Sequence, residues 1–226
     1  MPAAIGSRLW KHDWHLSALL GLLLLVVFII YPLGGRGTLL ATLRQSFLSL
    51  ILISGVVLVA RTRRGLGVVG LLALVTAVIG WAQLGSRGRW LTILSQSMWI
   101  VFLGLLAIAL LVRVFEEGEI NIHRIQGAVA VYLLLGVMWA GGYRIIVELD
   151  PGAFNLPANV DEGNVMSTFV YFSFTTLTTV GYGDITAVDT AARSIAMLEA
   201  LVGQLFPAVL IARLVSMEVT HRMEKR

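Results

Sequence analysis

The chain has 226 residues, of which 58% are hydrophobic and 13% charged, and its mean hydropathy is +0.86. Soluble domains run about 45–50% apolar and about 25% charged, so a typical soluble enzyme and a disordered chain are excluded. The absence of Cys excludes disulfide staples, iron–sulfur clusters and thiol catalysis, and the formal charge of +4 lies mostly in short connectors beside apolar runs, where anionic lipid headgroups are the expected partner and nucleic acid is not.

The apolar runs come in sequence order as follows. Arg8 and Lys11 precede Leu16–Tyr31, which resembles a signal peptide. No small-residue cleavage site follows it, and Trp10 and Trp14 suit a membrane interface, so the sequence predicts a retained first span over about Leu16–Leu33. The second span is predicted over Leu39–Ala60, with Arg44 near one end and the basic stop Arg61-Thr62-Arg63-Arg64 after it. The third, Leu66–Leu84, contains Gly67, Gly70 and Gly80, small residues that let membrane helices approach closely. The fourth is Trp90–Val112, the fifth Ile125–Val147 and the last Thr190–Met217.

Between the fifth and last spans the pattern changes. Glu148–Asn164 is polar and contains Pro. Val165–Leu177 is aromatic and apolar, but at about 1.5 Å per residue it reaches roughly 20 Å, too short for a core of about 30 Å. A short apolar helix followed by a Gly-rich stretch predicts a re-entrant element, since irregular backbone is tolerated at membrane depth only where protein or water covers it. Most of the 17 Lys/Arg fall in segments that share a side with the N-terminus. That bias predicts a multi-pass protein of the cell's inner (plasma) membrane with both termini cytoplasmic and the short helix entering from outside.

Directly after the short helix stands Thr178-Thr179-Val180-Gly181-Tyr182-Gly183-Asp184. Here the chain resembles the potassium channel family, whose T-V-G-Y-G filter signature it matches outright, in the expected context of span, acidic loop, short helix, filter and span. The resemblance covers about residues 125–217. It implies an all-α membrane protein of six spans, with a re-entrant pore helix and filter between the fifth and sixth, assembled with three identical subunits. The carbonyls of Thr179, Val180, Gly181 and Tyr182, with Gly183 completing the loop, would replace the water around K+ as the permeant ion. Gly181 and Gly183 can take positive φ at no steric cost. Val180 and Tyr182 would turn their side chains away from the ions. Tyr171 and Phe172 would form an aromatic cuff around Tyr182, and Asp184 would have a structural bond behind the filter. Glu148, Asp150, Asp161, Glu162 and Asp189 make the same mouth acidic, either as solvated loop charges or as a means of concentrating cations.

The division expected is an N-terminal cytoplasmic segment (1–15), a voltage-sensor-like four-helix domain (16–112), a linker (113–124), a pore domain (125–217) and a short tail (218–226). Voltage-gated relatives carry Arg or Lys at every third position of the fourth span. Leu91–Val112 contains neither; Arg89 and Arg113 only bracket it. Strong voltage sensing through this helix is therefore not expected, and the four-helix unit is a scaffold or an unknown sensor. The tail as it stands has no room for a ligand-binding domain, which leaves the filter, the inner helix, lipid or an unknown regulator as the gating input. No nucleophile–base set, metal cluster or phosphate loop is visible, so neither catalysis nor a cofactor is expected. His12 and His15 lack a third ligand, and Glu116-Glu117-Gly118-Glu119 lacks EF-hand spacing.

In the last span, Gly203 stands where the family often has a flexible glycine, and Pro207 removes a helix hydrogen bond, which predicts either a hinge or a static kink. By the same resemblance Gln204, Ala208 and Ile211 face the cavity. Glu199, five residues before Gln204, then lies about 140° round the helix. That places it against the pore helix, with Thr175 and Thr176 as expected partners, bracing the filter and making it pH-sensitive. The alternative is a cavity-facing acidic ring.

Overall fold

The computed structural model describes residues 14–33, 38–59, 63–85, 88–115, 122–158, 160–161 and 163–224. They form α1 (Trp14–Leu25, continuing through a π-helical turn, Val26–Ile30), α2 (Thr38–Val59), α3 (Arg63–Gly85), α4 (Arg89–Val114), α5 (Ile122–Leu149), β1 (Phe154–Asn155), α6 (Val165–Leu177), β2 (Thr186–Ala187) and α7 (Thr190–Glu224). By length and composition α2, α3, α4, α5 and α7 can cross a membrane, whereas Leu16–Ile30 and Val165–Leu177 are shorter apolar helices. Two boundaries differ from the sequence expectation. The first helix loses α-helical pairing after Leu25, within a run of β-branched and aromatic residues, Val26–Ile30. The last helix continues beyond its apolar stretch, Thr190–Met217, to Glu224. His12, the Glu116–Glu119 run and Glu162 lie outside the described residues.

The residue pattern of α4 explains its position. Ser95, Trp99, Phe102, Leu103, Leu106, Ala107, Leu110 and Val114 are buried at spacings of three and four, while Val101, Leu105, Ile108 and Val112 on the other face are exposed. The buried face lies along α5, the most extensive helix pair among the described residues. Small residues on α5, among them Ala128, Ala130, Gly136, Ala140 and Gly141, are buried, and they let several helices approach its backbone. As a result α1, α4, α6 and α7 all pack on α5, and α2 and α3 complete a four-helix unit with α1 and α4. This unit rests on the α5 of its own chain.

Arg89 and Arg113, in the first and last turns of α4, tie helix ends together. The Arg89 guanidinium donates to the Leu149 carbonyl at 2.8 Å, and that of Arg113 donates to the Leu58 carbonyl. Each cation satisfies a carbonyl that the end of a helix leaves without an intrahelical partner.

Because lipid replaces water on the outer face, packing and not transfer from water should decide the cost of truncation. Phe102, 1% exposed and facing Gly55, is a packing anchor, whereas Ile108 is 60% exposed. Phe102→Ala is expected to cost about 2 kcal/mol, the cavity part of a Phe truncation, and Ile108→Ala close to nothing. Thermal unfolding of the two variants in detergent compares them; equal losses would contradict this assignment of inner and outer faces.

Candidate functional site

The site is built around α6. Before it, the Asp161 carboxylate accepts the N–H of Gly163 at 2.7 Å, and the Asp161 N–H donates to the Asn164 side chain at 2.7 Å. This reciprocal turn occupies polar groups at the helix start and fixes where the helix begins. Phe169, Val170, Phe172, Ser173 and Leu177 form its buried face. Behind that face Tyr143, Phe154, Phe169 and Phe172 pack edge to face, with ring centroids 5.0–5.7 Å apart in the closest pairs. Phe172 thus belongs to this inner cluster. Tyr171, on the other side of the helix, lies parallel to Tyr182 with centroids 6.3 Å apart, and its hydroxyl interacts with the Asp184 carboxylate. Of the two residues expected around Tyr182, only Tyr171 stacks on it.

After α6 the chain turns back against its own helix. The N–H of Thr179 donates to the Thr176 carbonyl at 2.9 Å. Those of Val180 and Gly181 both donate to the Thr175 carbonyl, at 2.8 and 3.1 Å. Thr175 and Thr176 therefore support the loop through their backbones; the Thr175 hydroxyl is turned to the Phe172 carbonyl. Thr179, Gly181 and Gly183 have φ of +59°, +53° and +80°. The glycines accept this freely, but Thr179 bears a strain of order 1–3 kcal/mol. Its hydroxyl accepts a hydrogen bond from the Gln204 side chain on α7 at 2.8 Å. Residues 178–184 are all exposed in the single chain, including the Val180 and Tyr182 side chains.

A two-residue antiparallel pairing closes the far side of this loop. Phe154 and Asn155 of β1 face Ala187 and Thr186 of β2, and the N–H groups of Val188 and Asp189 donate to the Ala153 carbonyl. The Asp189 carboxylate then caps α7 by accepting the N–H of Ala191 at 2.7 Å. Glu148 pairs with Arg144 at 2.5 Å, and Asp150 accepts the Gly152 N–H at 2.9 Å. These acids of the expected mouth thus form turns, a cap and an ion pair. Among the described residues no group of three or more His, Asp or Glu could hold a metal.

α7 meets this assembly along a narrow buried stripe of Ala192, Glu199 and Gly203. Glu199 is fully buried. Its carboxyl bonds to the Ser173 hydroxyl at 2.5 Å and to the Tyr143 hydroxyl. Ser173 also donates to the Gly136 carbonyl at 2.7 Å. The expectation that Glu199 faces α6 matches this geometry. The expected partners, Thr175 and Thr176, do not: Ser173 and Tyr143 are nearer the level of Glu199. Neither stood out in sequence, because a Ser and a Tyr inside apolar runs carry no signal until their neighbours are known. Gly203 has a packing reason, since a Cβ there would overlap the Leu177 carbonyl at the end of α6. Pro207 lies within continuous helix, and the N–H it lacks would have bonded to the Gly203 carbonyl. Tyr132 of α5 donates to the same Leu177 carbonyl at 3.2 Å.

The buried polar triad should behave as one unit. Tyr143→Phe and Ser173→Ala each leave a Glu199 oxygen short of a partner and are expected to cost about 1–3 kcal/mol. The double variant should cost clearly less than the sum, as coupled partners do. A thermal-unfolding double-mutant cycle measures this, and strict additivity would contradict it. Gly203→Ala is expected to lower stability by about 1–3 kcal/mol through overpacking against Leu177, read in the same assay.

Comparison with known proteins places this loop and its helices. A family model described as ion channel matches residues 128–219, which runs from α5 through α6 and the loop into α7. Protein LctB of Bacillus caldotenax is 33% identical over 126 residues, spanning 50% of this chain and 92% of that protein. The shared region contains the turned-back loop and the helices that hold it, and the chain belongs to the ion channel family.

Proposed function

We propose that the chain is a potassium-selective channel subunit of six spans, α1 included, conducting passively as a homotetramer. The observation that carries this reading is the backbone of residues 179–183. The N–H groups of Thr179, Val180 and Gly181 turn inward onto α6, and every second residue has positive φ. That geometry frees carbonyl oxygens on the exposed side, where they can take the place of ion hydration. One chain supplies too few oxygens at each level to replace a hydration shell; four copies around an axis would supply a ring. The exposure of the whole loop, and of Met197, Leu201, Leu205 and Val209 on α7, supports burial against other copies and lipid.

The remaining site residues take roles in this reading. Thr179, Val180, Gly181 and Tyr182 offer oxygens to K+. Gln204 holds the hydroxyl of Thr179, and Tyr171 with Asp184 holds Tyr182. Glu199 braces α6. The single proton of the Ser173 hydroxyl cannot serve both the Gly136 carbonyl and Glu199 fully, and a proton on the carboxyl would complete the set. The Lys/Arg distribution supports both termini on the cytoplasmic side of the inner membrane. With no Lys or Arg between Arg89 and Arg113, α4 has no charge to move within the field.

Potassium flux from liposomes containing the purified protein tests the reading. K+ efflux well above that of Na+ is expected, and Gly181→Asp should abolish it. Equal Na+ and K+ flux would overturn selectivity. Currents through planar bilayers should show open probability that depends on pH in the unsubstituted protein and far less in Glu199→Gln; an unchanged pH profile in Glu199→Gln would remove Glu199 from the gating role.

A further inference from the structure

A second polar site lies inside the four-helix unit, away from the conducting loop. It is a cavity of about 80 Å³ where α1, α2, α3, α4, α5 and α6 converge. Arg44 and Gln45 of α2, Gln83 of α3, and Ser95 and Gln96 of α4 supply its polar lining. Leu48, Leu103 and Val137 supply an apolar wall.

Two observations bear on what the cavity holds. The first is Gln45, 8% exposed, whose side-chain nitrogen is buried with no hydrogen-bond partner among the described residues. A buried amide left unpaired costs about 1–3 kcal/mol. The amide lies over Gly80 of α3, where a Cβ would collide with it. The second is Arg44, which forms no ion pair among the described residues, in a cavity lined by no carboxylate. Half-buried cations are normally paired or bound to an anion. One fixed positive charge with no carboxylate in the same lining matches an anion, and the volume suits a single head group with the start of an apolar chain.

The cavity also touches the pore unit. Val137 and Gly141 of α5 and Met166 in the first turn of α6 line it. Gly141 leaves room for Gln96, whose side-chain oxygen would stand 3.4 Å from a Cβ there. A ligand in this cavity would therefore touch the start of the helix whose other end leads into residues 178–184.

We propose that this cavity binds a small anionic group, a carboxylate or phosphate, and that its occupancy alters conduction through α6. The second half rests on the reading of the chain as a channel; the first does not. The anion comes either from a membrane amphiphile or from solution.

The test uses the purified full chain in neutral detergent. Its thermal unfolding is followed while sodium laurate, or inorganic phosphate at constant ionic strength, is titrated in. A saturable rise of about 5 °C at a hundredfold excess over Kd is expected. It should be lost in Arg44→Gln and largely kept in Arg44→Lys. Saturation by phosphate assigns the site to a free anion, and saturation by laurate alone to an amphiphile. No saturable shift with either probe, or an equal shift in Arg44→Gln, overturns the site. In liposomes, the saturating probe should change the K+ flux at least twofold in the unsubstituted protein and not in Arg44→Gln. Unchanged flux with full binding overturns the coupling to α6. A preparation that binds the probe but passes no K+ at all overturns the channel reading and leaves the anion site standing.

Discussion

The Thr175 carbonyl is the pivot of the molecule. It accepts the N–H groups of both Val180 and Gly181, while Thr176 takes that of Thr179. A chain leaving a helix would ordinarily spend these donors on water or on the next element of regular structure. Here they are spent on the helix just completed. The arrangement holds only if α6 is fixed at both ends and along its length. The Asp161–Asn164 turn fixes its start, the pairing of β1 with β2 fixes the loop on the far side, and the aromatic cluster of Tyr143, Phe154, Phe169 and Phe172 fills the space behind.

Glu199 is the costly part of that support. A carboxyl in an apolar interior is tolerated only with partners for its oxygens. Ser173 and Tyr143 supply them from α6 and α5, so one side chain on α7 joins three helices through short hydrogen bonds. Four residues later, one turn along, Gly203 brings the α7 backbone against the Leu177 carbonyl. A polar bond and a steric contact on one narrow stripe thus set how α7 meets α6. Pro207 removes the N–H that would otherwise have tied the Gly203 carbonyl into the helix. The flexible-glycine expectation and the close-contact finding describe the same residue, and close contact is the one the geometry requires.

Sequence made the long helices legible because each is an apolar run ended by a charged residue, Gly or Pro. Val165–Leu177 was bounded by its own change of composition, and its observed ends are the same. The loop was legible because Gly181 and Gly183 have a backbone reason to be Gly. Thr179 at positive φ was not, since nothing in a Thr announces a left-handed conformation; its stabilising partner, Gln204, lies 25 positions away. Glu199 was conspicuous as an acid in an apolar helix and its direction followed from helical phase. Its partners did not follow, because phase fixes an angle and not the level at which two helices cross. Phe172 was assigned to the cuff around Tyr182 by family resemblance, whereas helical phase sends Tyr171 and Phe172 to different faces.

The absence of Lys and Arg from α4 between Arg89 and Arg113 bears on what the four-helix unit is for. A helix that moved charge through the membrane would need a polar path and weak, exchangeable contacts on its inner face. The inner face of α4 instead runs from Trp99 to Val114 as close-packed apolar side chains on α5, with Arg89 and Arg113 bound to helix-end carbonyls. Interdigitated packing of this kind resists sliding, since each step would break many contacts at once. The polar exception is the Gln96 end, where α4, α5 and the first turn of α6 meet around the Arg44 cavity. If this unit signals at all, the packing favours that end, through a change in what fills the cavity and not through translation of α4 along its axis.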